Sequence, residues 1–309
     1  MGTEIEITCE LVRKLVREQF PQYRDLEIYP VDRSGHDNRT FHLGEELAVR
    51  LPSGPGYAPQ VEKESRWLPY LQAHLDYPIS KPVAVGRPGG DFPWPWSINR
   101  WIEGETLFED TRLDKVELAG DLAAALQKLQ AVDCREGPRG GAHNCYRGCD
   151  LKVYHGEVLE AAEGLRGILP VNRLLELWDD CLGTVNQGEA VWVHGDVAPG
   201  NILVQNHRFY GLIDFGVLGT GDPACDYAMA WTYFDAPGRA RFLRDLEAGL
   251  VKRARGWALW KAMITFEDAN SISRESARHT LGVLLSEQSP GEALPAPLCS
   301  SSVKKDNSP

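Results

Sequence analysis

The sequence has no long apolar run: nothing approaches the roughly 20 consecutive apolar residues that a membrane-spanning helix requires, so no spanning segment is expected. Basic residues are in deficit, 33 Lys and Arg against 44 Asp and Glu, for a formal net charge of -11. Phosphate backbones reward clustered positive charge, so nucleic acid is not expected as a partner, and a cationic small substrate suits the balance better. The seven cysteines are odd in number and scattered, without the paired spacing of a disulfide framework. Cys134, His143, Cys145 and Cys149 lie near one another but show neither a CxxC nor a metal-finger spacing, and are read as ordinary loop and core residues. The first ten residues lack the basic start and apolar block of a signal peptide, which makes the cytoplasm the expected location. What remains is an ordinary globular composition on a chain of 309 residues, long enough for two lobes each with its own core.

The hydrophobic pattern changes character along the chain. Thr8 is placed to cap an opening helix carrying Leu11, Leu15 and Val16 on one face. Short β-rich runs follow at 26–31, 40–43 and 47–51, separated by Gly, Asp and Asn. A helix is expected over 60–74, bent or broken at Pro69, and strands near 82–85 and 97–102 complete a small mixed lobe. Beyond Gly104 the pattern becomes helical, starting with Leu118, Leu122, Ala125, Leu126 and Leu129 over 115–132. Two β runs, 190–193 and 209–213, interrupt it. The expected division is an N-lobe at 1–104, a C-lobe at 105–287 and a disordered Ser, Pro and Lys-rich tail at 288–309.

Those two late β runs flank the residues that carry chemistry. Between Val191 and Tyr227 the chain reads VWVHGDVAPGNILVQNHRFYGLIDFGVLGTGDPACDY, with Asn201 five residues after Asp196 and Asp214 thirteen after Asn201. These intervals match a kinase catalytic loop followed by a DFG-type metal ligand, spelled IDFG at Ile213 to Gly216. A phosphoryl group in transit spreads negative charge over its oxygens, so its enzyme needs Mg²⁺ held by hard oxygen ligands; Asn201 and Asp214 supply an amide and a carboxylate. Asp196 is then the carboxylate that aligns the acceptor hydroxyl and takes its proton.

With His194-Gly195-Asp196 in place of the His-Arg-Asp of protein kinases, then Asn201, IDFG, Gly221-Asp222-Pro223 and Asp226, the chain resembles the aminoglycoside phosphotransferase family. DNRTFHLG, AVRLP, EKESRWLPYL, PWPWSINRWIEGETL, HNCYRG and RARGWALWKA extend the resemblance over nearly all of the chain before the tail. It implies an α+β, protein-kinase-like fold, with a β-rich N-lobe over a larger, mainly α C-lobe and the nucleotide cleft between them. It also implies an alcohol-group phosphotransferase using Mg²⁺ and ATP or GTP, with Asp226 bracing the catalytic loop and His194 fixing its backbone.

The same resemblance supplies expectations for the N-lobe and the acceptor. Ser34, Gly35 and His36 lie in a turn whose amides suit phosphates. Arg50 stands where the family has a lysine, and Glu64 is its expected partner, with Glu62 second. Arginine keeps the charge but changes reach and geometry. Asn99 and Trp101 fall in the segment that resembles the base-binding hinge. Asp235, Glu267 and Asp268 are the candidate acidic contacts to an aminoglycoside, whereas Arg147, a candidate cleft cation, fits a polycation badly. Macrolides and hydroxylated metabolites such as choline or homoserine therefore stay open as acceptors, in a resistance or a metabolic setting. A nucleotide-binding pseudokinase, invited by Arg50, is the alternative of a different class.

Overall fold

The computed structural model describes residues 5–32, 35–108 and 112–288. Its first element, α1 (Cys9–Gln19), begins where the Thr8 hydroxyl accepts a hydrogen bond from the Leu11 N–H at 3.2 Å. Strands β1 (Ile28–Pro30), β2 (Asn38–Leu43), β3 (Leu47–Pro52), β4 (Pro82–Gly86) and β5 (Trp96–Arg100) form one antiparallel sheet, ordered β1-β2-β3-β5-β4. Side chains alternate across a strand, so Phe41, Leu43, Val49, Leu51 and Ile98 fall on the face that packs against Val12, Leu15 and Val16 of α1. The opposite register positions, Thr40 against Arg50 and Arg50 against Ser97, put Arg50 on the other face, toward α2 (Ala58–Gln72).

Pro69 neither ends nor divides α2. It sits in the final turn, where its missing N–H deprives only the Ser65 carbonyl of a helical partner, so the helix runs on to Gln72.

A short strand, β6 (Glu105–Thr106), leads into α3 (Lys115–Gln130), whose start is capped by Asp114 accepting from the Val116 and Glu117 amides at 2.8 and 3.1 Å. Helices α4 (His155–Gly164) and α5 (Val171–Leu182) follow. The chain then makes β7 (Val191–Val193), β8 (Ile202–Gln205), β9 (Arg208–Leu212) and β10 (Gly219–Gly221) before returning to helix in α6 (Met229–Thr232), α7 (Ala236–Leu243), α8 (Ala248–Ile264) and α9 (Ser271–Gln288). β7 pairs with β10, and β8 with both β6 and β9. The β8–β9 hairpin turns on Asn206 and His207, both left-handed, as a two-residue hairpin loop demands. These pairings leave 194–201 as the loop between β7 and β8, and 213–218 as the loop between β9 and β10.

This is the expected α+β, kinase-like architecture. Two cores underlie it, a smaller one between α1 and the five-stranded sheet and a larger one through the helices. They interleave in sequence: Leu68, Leu71, Leu75, Tyr77 and Ile79 belong to the larger core. Among the described residues no helix is long and apolar enough to cross a membrane. Apart from its first residue, which ends α9, the expected tail lies outside the described residues.

Inside the larger lobe, Arg253 of α8 and Asp222 form an ion pair at 2.6 Å, both almost fully buried. Breaking such a pair from one side strands a charge in the interior. Arg253→Met is expected to lose about 3–5 kcal/mol of stability in urea unfolding, and adding Asp222→Asn should recover most of that loss; an equal loss in the double variant would contradict this reading of the pair.

Candidate active site

The loop between β7 and β8 is held from beneath by one buried carboxylate. Asp226, in the 3-10 turn Pro223–Tyr227, accepts from the His194 N–H at 2.8 Å and from the Gly195 N–H at 2.7 Å. Burial pushes its pKa up, while the His194 side chain and the two amides act in the opposite sense. The buried His194 ring accepts from the Asp196 N–H at Nδ1 (3.2 Å), and its Nε2 lies 3.0 Å from the Ile213 carbonyl. A ring that accepts at Nδ1 and donates at Nε2 is the Nε2–H tautomer. Gly195 has φ +86°, and a Cβ there would lie 2.6 Å from the Val217 carbonyl oxygen, so this position takes glycine.

Asp196, exposed at the end of this frame, receives two bonds from Asn201 Nδ2, at its carbonyl and at its carboxylate, both 2.9 Å. That spends the donor end of the Asn201 amide and leaves its oxygen as the free acceptor. The Ile213 N–H donates to the Asn201 carbonyl at 3.0 Å and so ties the two loops together. Asp214 follows at φ 62°, a left-handed conformation uncommon for a residue with a side chain. The sequence reading therefore names three residues that the fold brings onto two adjoining loops.

From the N-lobe, Arg50 reaches the same place. Its guanidinium contacts Glu64 at 2.8 Å and Asp214 at 3.6 Å, so the expected Arg50–Glu64 pair is present, while Glu62 is exposed on α2. Burial disfavours the charge on Arg50, but Glu64 and Asp214 more than offset it and its pKa rises. Burial likewise raises Glu64 against the pull of Arg50. One residue earlier on α2, Lys63 donates to the Gly216 carbonyl at 2.7 Å, and Gln60 donates to Asp37 at 2.9 Å. The sequence reading missed Lys63 and Gln60. Gln60 lies one helical turn before Glu64, the signal that could have found it; the sequence carries no such signal for Lys63.

The other expected residues are more dispersed. Gly35 and His36 are exposed ahead of β2, where the Gly35 carbonyl accepts from Arg39 and His36 Nδ1 lies 3.0 Å from the Tyr57 hydroxyl; Ser34 lies outside the described residues. The Asn99 amide is buried and donates to the Ser80 carbonyl at 2.6 Å. Trp101 donates its N–H to the Glu46 carbonyl, and its ring packs on His42, which in turn stacks on Tyr29. Asp235 caps α7 by accepting from the Gly238 N–H. Glu267 is exposed in the turn after α8, where Asp268 accepts from the Asn270 N–H.

A family model described as phosphotransferase enzyme family matches residues 29–262, which includes Arg50, α2, both loops and Asp226. The chain belongs to this family. Its members transfer phosphoryl groups, and the three polar residues with the spacing that such transfer uses are all present. Among solved structures, the chain is similar to the GDP complex of aminoglycoside 2′-phosphotransferase-IIIa, at 17% identity and TM-score 0.68, over 91% of this chain and 100% of that one. A ternary complex of streptomycin, ATP and APH(2″)-IIa is similar at 18% identity and TM-score 0.58, over 90% and 97%. So is the macrolide 2′-phosphotransferase of Brachybacterium faecium, at 18% identity and TM-score 0.60, over 88% and 97%. These likenesses give the fold that the family shares. No curated protein gives a significant match to the sequence.

Lys63 yields a prediction of its own. Burial lowers its pKa to about 8, with Glu64 pulling the other way. The folded state thus binds fewer protons than the unfolded chain at pH values between about 8 and the ordinary lysine value, and stability rises with pH across that window. In paired thermal melts, wild type should gain on Lys63→Met as pH rises from about 8 to about 10; a constant difference across this range would contradict it.

Proposed function

We propose that this protein is a small-molecule kinase that transfers the γ-phosphate of ATP or GTP to a hydroxyl of an antibiotic-type acceptor, an aminoglycoside first. The observation that carries this reading is the joining of Asp196, Asn201 and Asp214 across two loops by the Asn201–Asp196 and Ile213–Asn201 hydrogen bonds. In the reaction, the acceptor oxygen forms a bond to the γ-phosphorus while the bond from that phosphorus to the β,γ-bridging oxygen breaks. The hydroxyl proton passes to the Asp196 carboxylate, and a nucleoside diphosphate leaves.

The donor set fits Mg²⁺: the Asn201 amide oxygen and the half-exposed Asp214 carboxylate are hard oxygen ligands on adjoining loops. When bound, the ion neutralises charge on the transferring phosphates. Arg50, paired to Glu64, presents its remaining N–H groups toward Asp214 and the phosphates beside it. Gly35 and His36 are assigned to the phosphate loop. The base falls to Asn99 and Trp101, where Asn99 shapes the sheet and the Trp101 ring, packed on His42, offers an aromatic contact. Similar structures hold GDP in one case and ATP in another, which supports both nucleotides as donors to test.

A macrolide acceptor is the second reading. Phe108 is half exposed and its ring lies against Gly200 of the catalytic loop, while Tyr146 is exposed nearby in sequence to Arg147. Aromatic surface with a cation beside it suits a large, weakly charged acceptor better than a polycation. Asp235, Glu267 and Asp268 remain the candidates for an aminoglycoside.

Asp196→Ala is expected to lower kcat by about 10²–10⁴-fold in a coupled nucleotide-consumption assay, while nucleotide affinity stays within about twofold because its partner is the acceptor hydroxyl. Asp214→Ala should lose both turnover and metal–nucleotide affinity. Near-normal turnover in Asp196→Ala would overturn the mechanism, and nucleotide binding without turnover in the wild type would favour the pseudokinase.

A further inference from the structure

Among the described residues, Arg147 is a cation without an acid. It follows two residues in the left-handed region, Cys145 at φ 51° and Tyr146 at φ 54°. Each such residue costs on the order of 1–3 kcal/mol, a strain that persists only where the surroundings enforce it. Here they do: the fully buried Asn144 accepts from the Gly141 N–H at 2.9 Å and donates to the Arg147 carbonyl at 3.0 Å. The loop so held aims the Arg147 side chain at the catalytic loop, and Nε donates to the Gly195 carbonyl at 2.8 Å. Nη1 donates to the Tyr154 hydroxyl at 3.1 Å, and the Tyr154 hydroxyl donates to the Cys145 carbonyl. The guanidinium lies over Trp257 and Trp260 of α8, 5.2 and 5.0 Å from their ring centroids, and Tyr154 stacks on Trp260. Among the described residues no carboxylate lies within ion-pair distance of it; its charge is held by π faces and oxygen dipoles.

Gly195 and Arg147 share a volume. A Cβ on Gly195 would lie 3.0 Å from both Cβ and Cγ of Arg147. The arginine absent from position 195 of His194-Gly195-Asp196 is thus supplied in space from a distant loop, through the gap that the glycine leaves. Three amides and two carbonyls around Asp196 are then held: the His194 and Gly195 amides by Asp226, the Asp196 amide by His194, the Asp196 carbonyl by Asn201 and the Gly195 carbonyl by Arg147. The same helix that seats Arg147 carries Arg253, the partner of Asp222, so α8 fixes both the catalytic loop and the Gly221-Asp222-Pro223 turn.

We propose that Arg147 is a positioning residue for phosphoryl transfer, holding the Gly195–Asp196 peptide against the aromatic face of α8 so that the Asp196 carboxylate meets the acceptor hydroxyl. The inference rests on the kinase reading for its effect on rate, and on geometry alone for its effect on the loop. A misplacement of about 1 Å at a reacting group can cost about 10²-fold in rate. Lysine keeps the charge but lacks the Nε–H and the planar face, so it replaces arginine poorly here.

The test compares wild type with Arg147→Met and Arg147→Lys, by steady-state kinetics and by amide hydrogen exchange over residues 194–201. The expected result for Arg147→Met is a fall in kcat of about 10²-fold with KM for nucleotide within about twofold, and faster exchange at Gly195 and Asp196 while the α5 and α8 amides keep their protection. Arg147→Lys should recover only a minor part. Unchanged kcat, or exchange that rises equally through the whole C-lobe, would overturn the assignment and leave Arg147 a packing residue. Should the wild type transfer no phosphate to any acceptor, the kinase reading fails but exchange still decides: unchanged protection at Gly195 and Asp196 in Arg147→Met overturns the role.

Discussion

A single buried carboxylate organises the site. Asp226 is fully buried, and among the described residues no cation lies within ion-pair distance of it; its charge is met by the His194 and Gly195 backbone N–H groups. Bonds of this charge-assisted kind are about twice as strong as neutral ones, and leaving either partner unmade in the interior costs the full desolvation of the group. These two bonds pin the start of the loop after β7. Gly195 turns left-handed, His194 is locked in one tautomer between two loops, and Asp196 alone emerges into solvent. Asn201 and Ile213 then carry that order across to Asp214.

The second constraint is α2. It contacts the N-lobe through Gln60 to Asp37 and Glu64 to Arg50, and the 213–218 loop through Lys63 to the Gly216 carbonyl, while Leu68 and Leu71 pack in the larger core. The N-lobe sheet is thereby tied to the C-lobe through the very helix whose glutamate sets Arg50. Arginine at this position spans Glu64 and Asp214 at once, which a lysine's single ammonium does less well. The departure from lysine keeps the link between the lobes.

The parts of this arrangement that sequence made legible are those fixed by short chain segments. The five-residue interval lies within the loop between β7 and β8, and the thirteen-residue interval is the length of the β8–β9 hairpin that returns the chain from Asn201 to Asp214, so both spacings are fixed by short local structure. Periodicity exposed α1, β3 and α3 for the same reason, since one buried face repeats along each. Strand β8 escaped notice because Ile202 to Gln205 begins immediately after the catalytic loop, with no turn residues to mark it as a separate run. Lys63 and the seating of Arg147 were not legible at all: each is a contact between segments tens of residues apart, made through a backbone carbonyl whose position exists only in the fold. Acceptor identity is of this kind too, since Asp235, Glu267 and Asp268 read alike as charges, although Asp235 caps α7 and Asp268 accepts from the Asn270 amide.

The central claim is that this protein carries phosphate from a nucleotide to a hydroxyl. It is tested most directly by incubating the full chain with Mg²⁺, ATP or GTP and single acceptors, aminoglycosides and macrolides first, and reading the acceptor by mass spectrometry. The account predicts an acceptor bearing one added phosphate, formed only when nucleotide, Mg²⁺ and the Asp196 carboxylate are all present. Failure to bind either nucleotide under any of these conditions would contradict it.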